Sequence, residues 1–140
     1  MRTRFLAITV PVVALLLAGC AAAPVNVARA SHEGTPDGFD STSNVLNGAP
    51  GALWIGGRSA FAIVTFGSST CAPIPTKISS PDSHTIDVTF VKAENGSCTQ
   101  DMAPMTREFD LPKGVDSDSP VTLNITYDFD QDYDYTLTLK

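Results

Sequence analysis

The chain has 140 residues, 43% of them hydrophobic, and a formal charge of −6 from 9 basic and 15 acidic side chains. That length suits one domain. The acidic balance, with no basic cluster, excludes a nucleic-acid surface, which needs gathered cations to displace counterions from phosphate, and the ordinary hydrophobic content excludes disorder throughout.

Arg2 and Arg4 precede an apolar run from Phe5 to Leu17, 13 residues long and followed by Leu17-Ala18-Gly19-Cys20. Such a run is too short to span a bilayer, which takes roughly 20 residues. A positive start, a short apolar stretch and small residues at its end have the order of an export signal over residues 1–19. The Leu-Ala-Gly-Cys ending resembles the lipobox of bacterial lipoproteins, which implies diacylglycerol on the Cys20 thiol and cleavage just before it. The alternative is a plain secretory signal cut after Ala21-Ala22-Ala23. Cleavage before Cys20 would remove Arg2 and Arg4 and leave the chain two charges more acidic, so lipid rather than surface charge would hold it at the membrane.

Residues 20–51 are rich in Ala, Gly, Pro, Ser, Thr and Asn, with Phe39 their only aromatic and no sustained period of 2 or 3.6. With little to bury, they read as a flexible tether whose root-mean-square span is roughly 30 Å.

Residues 52–140 carry the period of strands. Leu53-Trp54-Ile55 is a short strand that stops at Gly56-Gly57, and Ala60 to Phe66 is apolar on both parities, as a central strand covered on both faces should be. Lys77-Ile78-Ser79 is a further short strand. Ile86, Val88 and Phe90 alternate with Thr85, Asp87 and Thr89; Met105, Phe109 and Leu111 alternate with Thr106, Glu108 and Asp110. The last twenty residues alternate most cleanly: Val121, Leu123, Ile125, Tyr127 and Phe129, a pause at Asp130-Gln131-Asp132, then Tyr133, Tyr135, Leu137 and Leu139. The expectation is an all-β domain of about seven strands, a small antiparallel β-sandwich or barrel.

Cys71 and Cys98 are the two thiols left once Cys20 is acylated. In an exported domain such a pair is most simply a disulfide. It would restrict the unfolded chain by about 3.5 kcal/mol on chain-entropy grounds. Two cysteines 27 positions apart, without a Cys-x-x-Cys or nearby histidines, make a poor zinc site. The pairing would set Gly67-Ser68-Ser69-Thr70-Cys71 beside Ser97-Cys98-Thr99-Gln100-Asp101 and gather Ser69, Thr70, Thr99 and Asp101 into a candidate binding patch.

Catalytic signals are sparse. His32 sits in the tether and His84 opens a strand; Ser83, His84 and Asp82 are read as no Ser-His-Asp set, because neighbours on a strand point to opposite faces. Asp128, Asp130, Asp132 and Asp134 are spaced like the first half of a calcium loop. Tyr133, however, stands where that loop needs glycine, and Leu139 where it needs a bidentate glutamate. The acidic hairpin therefore reads as a solvated face whose charges discourage edge pairing. No metal site and no cofactor are expected.

On Leu17-Ala18-Gly19-Cys20, and more loosely on Gly67 to Pro73 and Cys98 to Asp101, the precursor resembles the small lipoproteins of high-GC Gram-positive bacteria. That resemblance implies display on the extracytoplasmic face of the cell membrane and supplies no activity. The function expected is that of a non-catalytic, lipid-anchored envelope protein whose β-domain binds an envelope partner or serves structurally. The alternative is an extracytoplasmic binder of a cation or small solute that uses the acidic C-terminal hairpin.

Overall fold

The computed structural model describes residues 23–42, 47–93, 96–130 and 133–140. Cys20 and the export signal lie outside the described residues, as does Asp132 of the acidic hairpin.

Among the described residues eight strands form two packed sheets: β1 (Ala30–Glu33), β2 (Gly51–Ile55), β3 (Ala60–Gly67), β4 (Ile74–Asp82), β5 (Thr85–Val91), β6 (Ala103–Asp110), β7 (Val121–Tyr127) and β8 (Tyr135–Leu139). One sheet has the order β1-β6-β3-β2 and the other β4-β5-β7-β8. The fold is an all-β sandwich, one strand richer than the sequence pattern indicates.

The alternation seen in the sequence decides which face of each strand is dry. Ile86, Val88 and Phe90 of β5 and Val121, Leu123 and Ile125 of β7 are buried, whereas the intervening residues are only partly so. From the opposite sheet, Phe61 and Ile63 of β3 and Phe109 of β6 meet them in a single hydrophobic core. Phe61 stacks on Phe109 with ring centroids 5.1 Å apart, and Trp54 meets Phe61 edge-on at 6.4 Å. β3 is buried on both parities from Ala60 to Thr65, as its unbroken apolar run requires.

Three expectations are corrected. The first concerns strand direction, since β5 and β7 pair in parallel, Thr85 opposite Thr122 and Phe90 opposite Tyr127. The sandwich is therefore mixed rather than wholly antiparallel. The chain leaves β5, crosses to the other sheet as β6, and returns beside β5 as β7. Alternation reports which face is dry and is silent on direction. On the solvent face of this sheet the Asn124 amide donates to Asp87 at 2.8 Å, the Thr126 hydroxyl to Thr89 at 3.2 Å, and the Thr136 hydroxyl to the Asn124 carbonyl at 3.1 Å, linking β5, β7 and β8.

The second concerns the tether. Strand β1 lies within residues 20–51 and pairs antiparallel with β6, Ala30 opposite Glu108 and Glu33 opposite Met105. Just before it, the Val27 N–H donates to the Pro75 carbonyl at 2.9 Å. The Arg29 guanidinium reaches Glu108 at 3.0 Å and Asp110 at 2.9 Å. Residues 27–34 thus belong to the folded domain. A four-residue edge strand of sequence Ala-Ser-His-Glu, mostly exposed, has no apolar period by which to announce itself.

The third concerns β6, where Thr106 is fully buried instead of wet. Its hydroxyl donates to the Gly34 carbonyl at 2.7 Å, at the point where Gly34, with φ of 92°, turns the chain away from β1. Arg107 then points to the core side beside Phe109 and is only 6% exposed.

Candidate functional site

The site begins with the cystine. Cys71 and Cys98 are bonded, their Cα atoms 5.3 Å apart, in the ordinary range for such bridges. The bridge draws the loop after β3 against the loop after β5. Ser69, Thr70, Thr99 and Asp101 come together as expected. The Thr99 hydroxyl lies 3.0 Å from that of Ser68 and 3.2 Å from that of Ser69. The Thr99 N–H donates to the Thr70 hydroxyl at 3.1 Å, the Ser69 N–H donates to the Asp101 carboxylate at 3.1 Å, and the Thr99 hydroxyl donates to that same carboxylate. Hydrogen bonds from the Ser69 hydroxyl, the Thr99 hydroxyl and the Ser69 N–H, in that order of weight, hold the Asp101 carboxyl at a pKa of about 2. A network that consumes its own donors and acceptors stiffens a loop and leaves few of them for a ligand. These four residues are a brace.

What the brace supports is a half-open cavity of about 490 Å³ at the same end of the sandwich. Cys71, Cys98 and Ser68 form part of one wall. Across from them stand residues of the β7–β8 hairpin: Tyr127, Phe129, Asp130, Tyr133 and Tyr135. Thr65 and Gly67 of β3 contribute further lining, as do Met102 and, after β5, Lys92. No protein family, curated protein or solved structure matches the chain. The cavity must be read from its own chemistry.

Its back wall is rigid. Tyr127 is 8% exposed and has three aromatic neighbours: Phe90 with centroids at 5.5 Å, Phe129 edge-on at 5.5 Å and Tyr135 edge-on at 6.5 Å. Burial, and then the nearby Tyr135, push the Tyr127 phenol well above its ordinary pKa, so it remains a neutral hydroxyl. The hairpin turn is closed by backbone and side chain together. The Asp130 N–H donates to the Tyr127 carbonyl at 3.2 Å, the Tyr133 N–H to the Asp130 carbonyl at 3.3 Å, and the Tyr127 N–H to the Asp134 carboxylate at 3.1 Å. Asp134 is thus engaged as a turn cap. Among the described residues no three His, Cys, Asp or Glu side chains gather where they could hold a metal ion.

Sequence reasoning brought out the cystine loop and the hairpin separately and missed that they face one another. Met102 and Lys92 carried no pattern at all. The nearest available signal was the run of aromatic residues in the hairpin, Tyr127, Phe129, Tyr133 and Tyr135, which exceeds what one dry strand face requires.

At the turn between β4 and β5 the expectation about Ser83 is corrected. The Ser83 hydroxyl lies 2.8 Å from His84 Nδ1, because both residues sit in the turn, where strand alternation does not apply. Asp116 Oδ2 approaches His84 Nε2 at 3.8 Å; Asp82 accepts instead from the His84 N–H and the Thr85 hydroxyl. The Asp116 carboxyl is itself held by the Ser119 hydroxyl and the Asp118 N–H, which lower its pKa. The His84 and Asp116 side chains are 55% and 44% exposed, and none of the three residues lines the cavity. The group has the outline of a triad and stands open to solvent.

Proposed function

We propose that the protein is a non-catalytic, lipid-anchored component of the cell envelope whose β-domain binds a small solute in the cavity between the cystine loop and the C-terminal hairpin. The observation that carries the binding half is the cavity itself. At about 490 Å³ it has the size of small-molecule sites, which are concave, largely apolar and furnished with a few placed polar groups. The anchoring half rests on Leu17-Ala18-Gly19-Cys20 after its short apolar run. The reading joins the two expectations drawn from the sequence, keeping the anchor of the first and the solute-binding hairpin of the second. It moves the ligand from the carboxylates to the aromatic rings beside them.

Two measurements test it. Cys20→Ser should abolish incorporation of radiolabelled fatty acid; equal labelling of the variant overturns the anchor. Protein isolated from native membranes should yield, on denaturation and mass spectrometry, a small molecule that is lost from Gly67→Phe. Gly67 lines the cavity, and a Cβ added there meets no atom within 4 Å, so the backbone accepts a side chain at the cavity's edge and a phenyl ring should obstruct it. A molecule retained by Gly67→Phe to the same extent overturns the site.

A further inference from the structure

We infer that the rim of the cavity is a membrane-contact surface, set into the headgroup layer of the bilayer to which Cys20 ties the chain. This rests on the anchoring half of the reading above and adds a second, apolar contact to it. Four large apolar side chains among the described residues are strongly exposed: Val25 at 76%, Met102 at 51%, Phe129 at 48% and Tyr133 at 55%. Met102, Phe129 and Tyr133 line the cavity, and Val25 lies in the segment that leads back to Cys20. Apolar surface gathered in this way marks an interaction site rather than scatter. Half-exposed rings suit a bilayer interface, where an aromatic body lies among the upper acyl carbons and a phenol hydroxyl stays in water.

The length of the tether selects the bilayer as the partner. The sequence pattern allots residues 20–51 to the tether, but the fold already holds Val27, whose N–H donates to the Pro75 carbonyl, so the free run is only residues 20–26. Fully extended, that run reaches about 25 Å. Strand β6 alone, Ala103–Asp110, is about as long at roughly 3.3 Å per residue. The domain therefore stays within its own length of the membrane. Its tether also leaves the fold beside the cavity, because Pro73, two positions before Pro75, is in the cavity wall. The rim thus meets the interface at the effective concentration of a short linker, on the order of millimolar, where even a weak apolar contact is made. Charge does not drive that contact, since the chain carries a net charge of −6; rings and a thioether do. The half-open cavity then faces the headgroups rather than free solution.

The test uses the lipid-anchored protein purified from membranes and reconstituted into phosphatidylcholine vesicles, with a nitrobenzoxadiazole label on Met102→Cys or on Lys113→Cys. Lys113 is exposed and lies beyond the far end of β6 from Met102. A nitroxide on the upper acyl chain of the lipid should quench the label at 102 at least threefold more than the label at 113, and should do so equally in about 1 M sodium chloride, where charge attraction is screened. Phe129→Ser and Tyr133→Ser, both at exposed positions, should each at least halve that difference while the protein still floats with the vesicles. Three results overturn the rim: equal quenching at the two positions, quenching at 102 that survives both substitutions together, or quenching lost at high salt. In each, protein that floats and incorporates labelled fatty acid keeps the anchor. Protein that neither floats nor incorporates it overturns the anchor and the rim together.

Discussion

Replacing Arg107 with Met should stabilise the protein. The guanidinium is 6% exposed on the core side of β6, and Nη2 donates to the Pro73 carbonyl at 3.2 Å. Nε and Nη1 are buried without a hydrogen-bond partner, and among the described residues no carboxylate pairs with the charge. Burial alone lowers the pKa of the group from its ordinary value, which marks the charged form as disfavoured where it sits. An unsatisfied buried donor costs about 1–3 kcal/mol, and Arg107 has two. Met replaces the aliphatic stem with an unbranched, adaptable apolar chain, though it ends short of the guanidinium nitrogens, and removes both donors together with the charge. The bond to Pro73 is lost, at about 1 kcal/mol, and Pro73 lines the cavity, where water can take the donor's place. The net gain is about 1–4 kcal/mol, the range seen when buried charges give way to apolar side chains of similar volume. At roughly 4–6 °C per kcal/mol for a domain of this size, the melting temperature followed by circular dichroism should rise by at least about 4 °C. A fall of similar size would refute the reasoning, because it would mean that the charge is compensated in the native protein.

Phe61→Ala removes the ring that stacks on Phe109 and receives Trp54, and should cost about 3–5 kcal/mol in urea unfolding, a large part of the stability of a small domain. The pH dependence of the cystine loop follows from Asp101. Its folded pKa, about 2, lies below the ordinary carboxylate value, so its contribution to loop order is complete above about pH 4 and is lost as pH falls toward 2. The protection of the Ser69 amide against exchange, taken relative to its intrinsic rate at each pH, should fall over that window, and Asp101→Asn should remove the pH dependence.

The dry faces of β5, β7 and β8 were legible in the sequence because each is long enough to repeat a two-residue period against a single core, and β3 was legible from its unbroken apolar run. β1 was not, because an exposed edge strand is held by backbone bonds and by Arg29 rather than by apolar side chains. The cystine was legible from compartment and count, and the meeting of Ser69 and Thr70 with Thr99 and Asp101 followed from it. The cavity was not legible, since it depends on which loop of one sheet faces which hairpin of the other. That is set by the crossing of β6 and the parallel return of β7, about which local periodicity says nothing.

The parallel pair also fixes an order of assembly. Cys71 and Cys98 flank β4 and β5, so the bridge spans 27 positions and encloses one hairpin. That piece can close without waiting for the strands that follow it. β7 pairs with β5 across the intervening β6, which lies in the other sheet, and β1 pairs with β6 far along the chain, the Arg29 to Glu108 contact spanning 79 residues. Contacts so distant in sequence form slowly, whereas a local hairpin forms fast. Oxidation therefore acts early, on a nucleus of two strands, and the aromatic hairpin closes the cavity last. A folding chain would hold its cystine well before its cavity is formed.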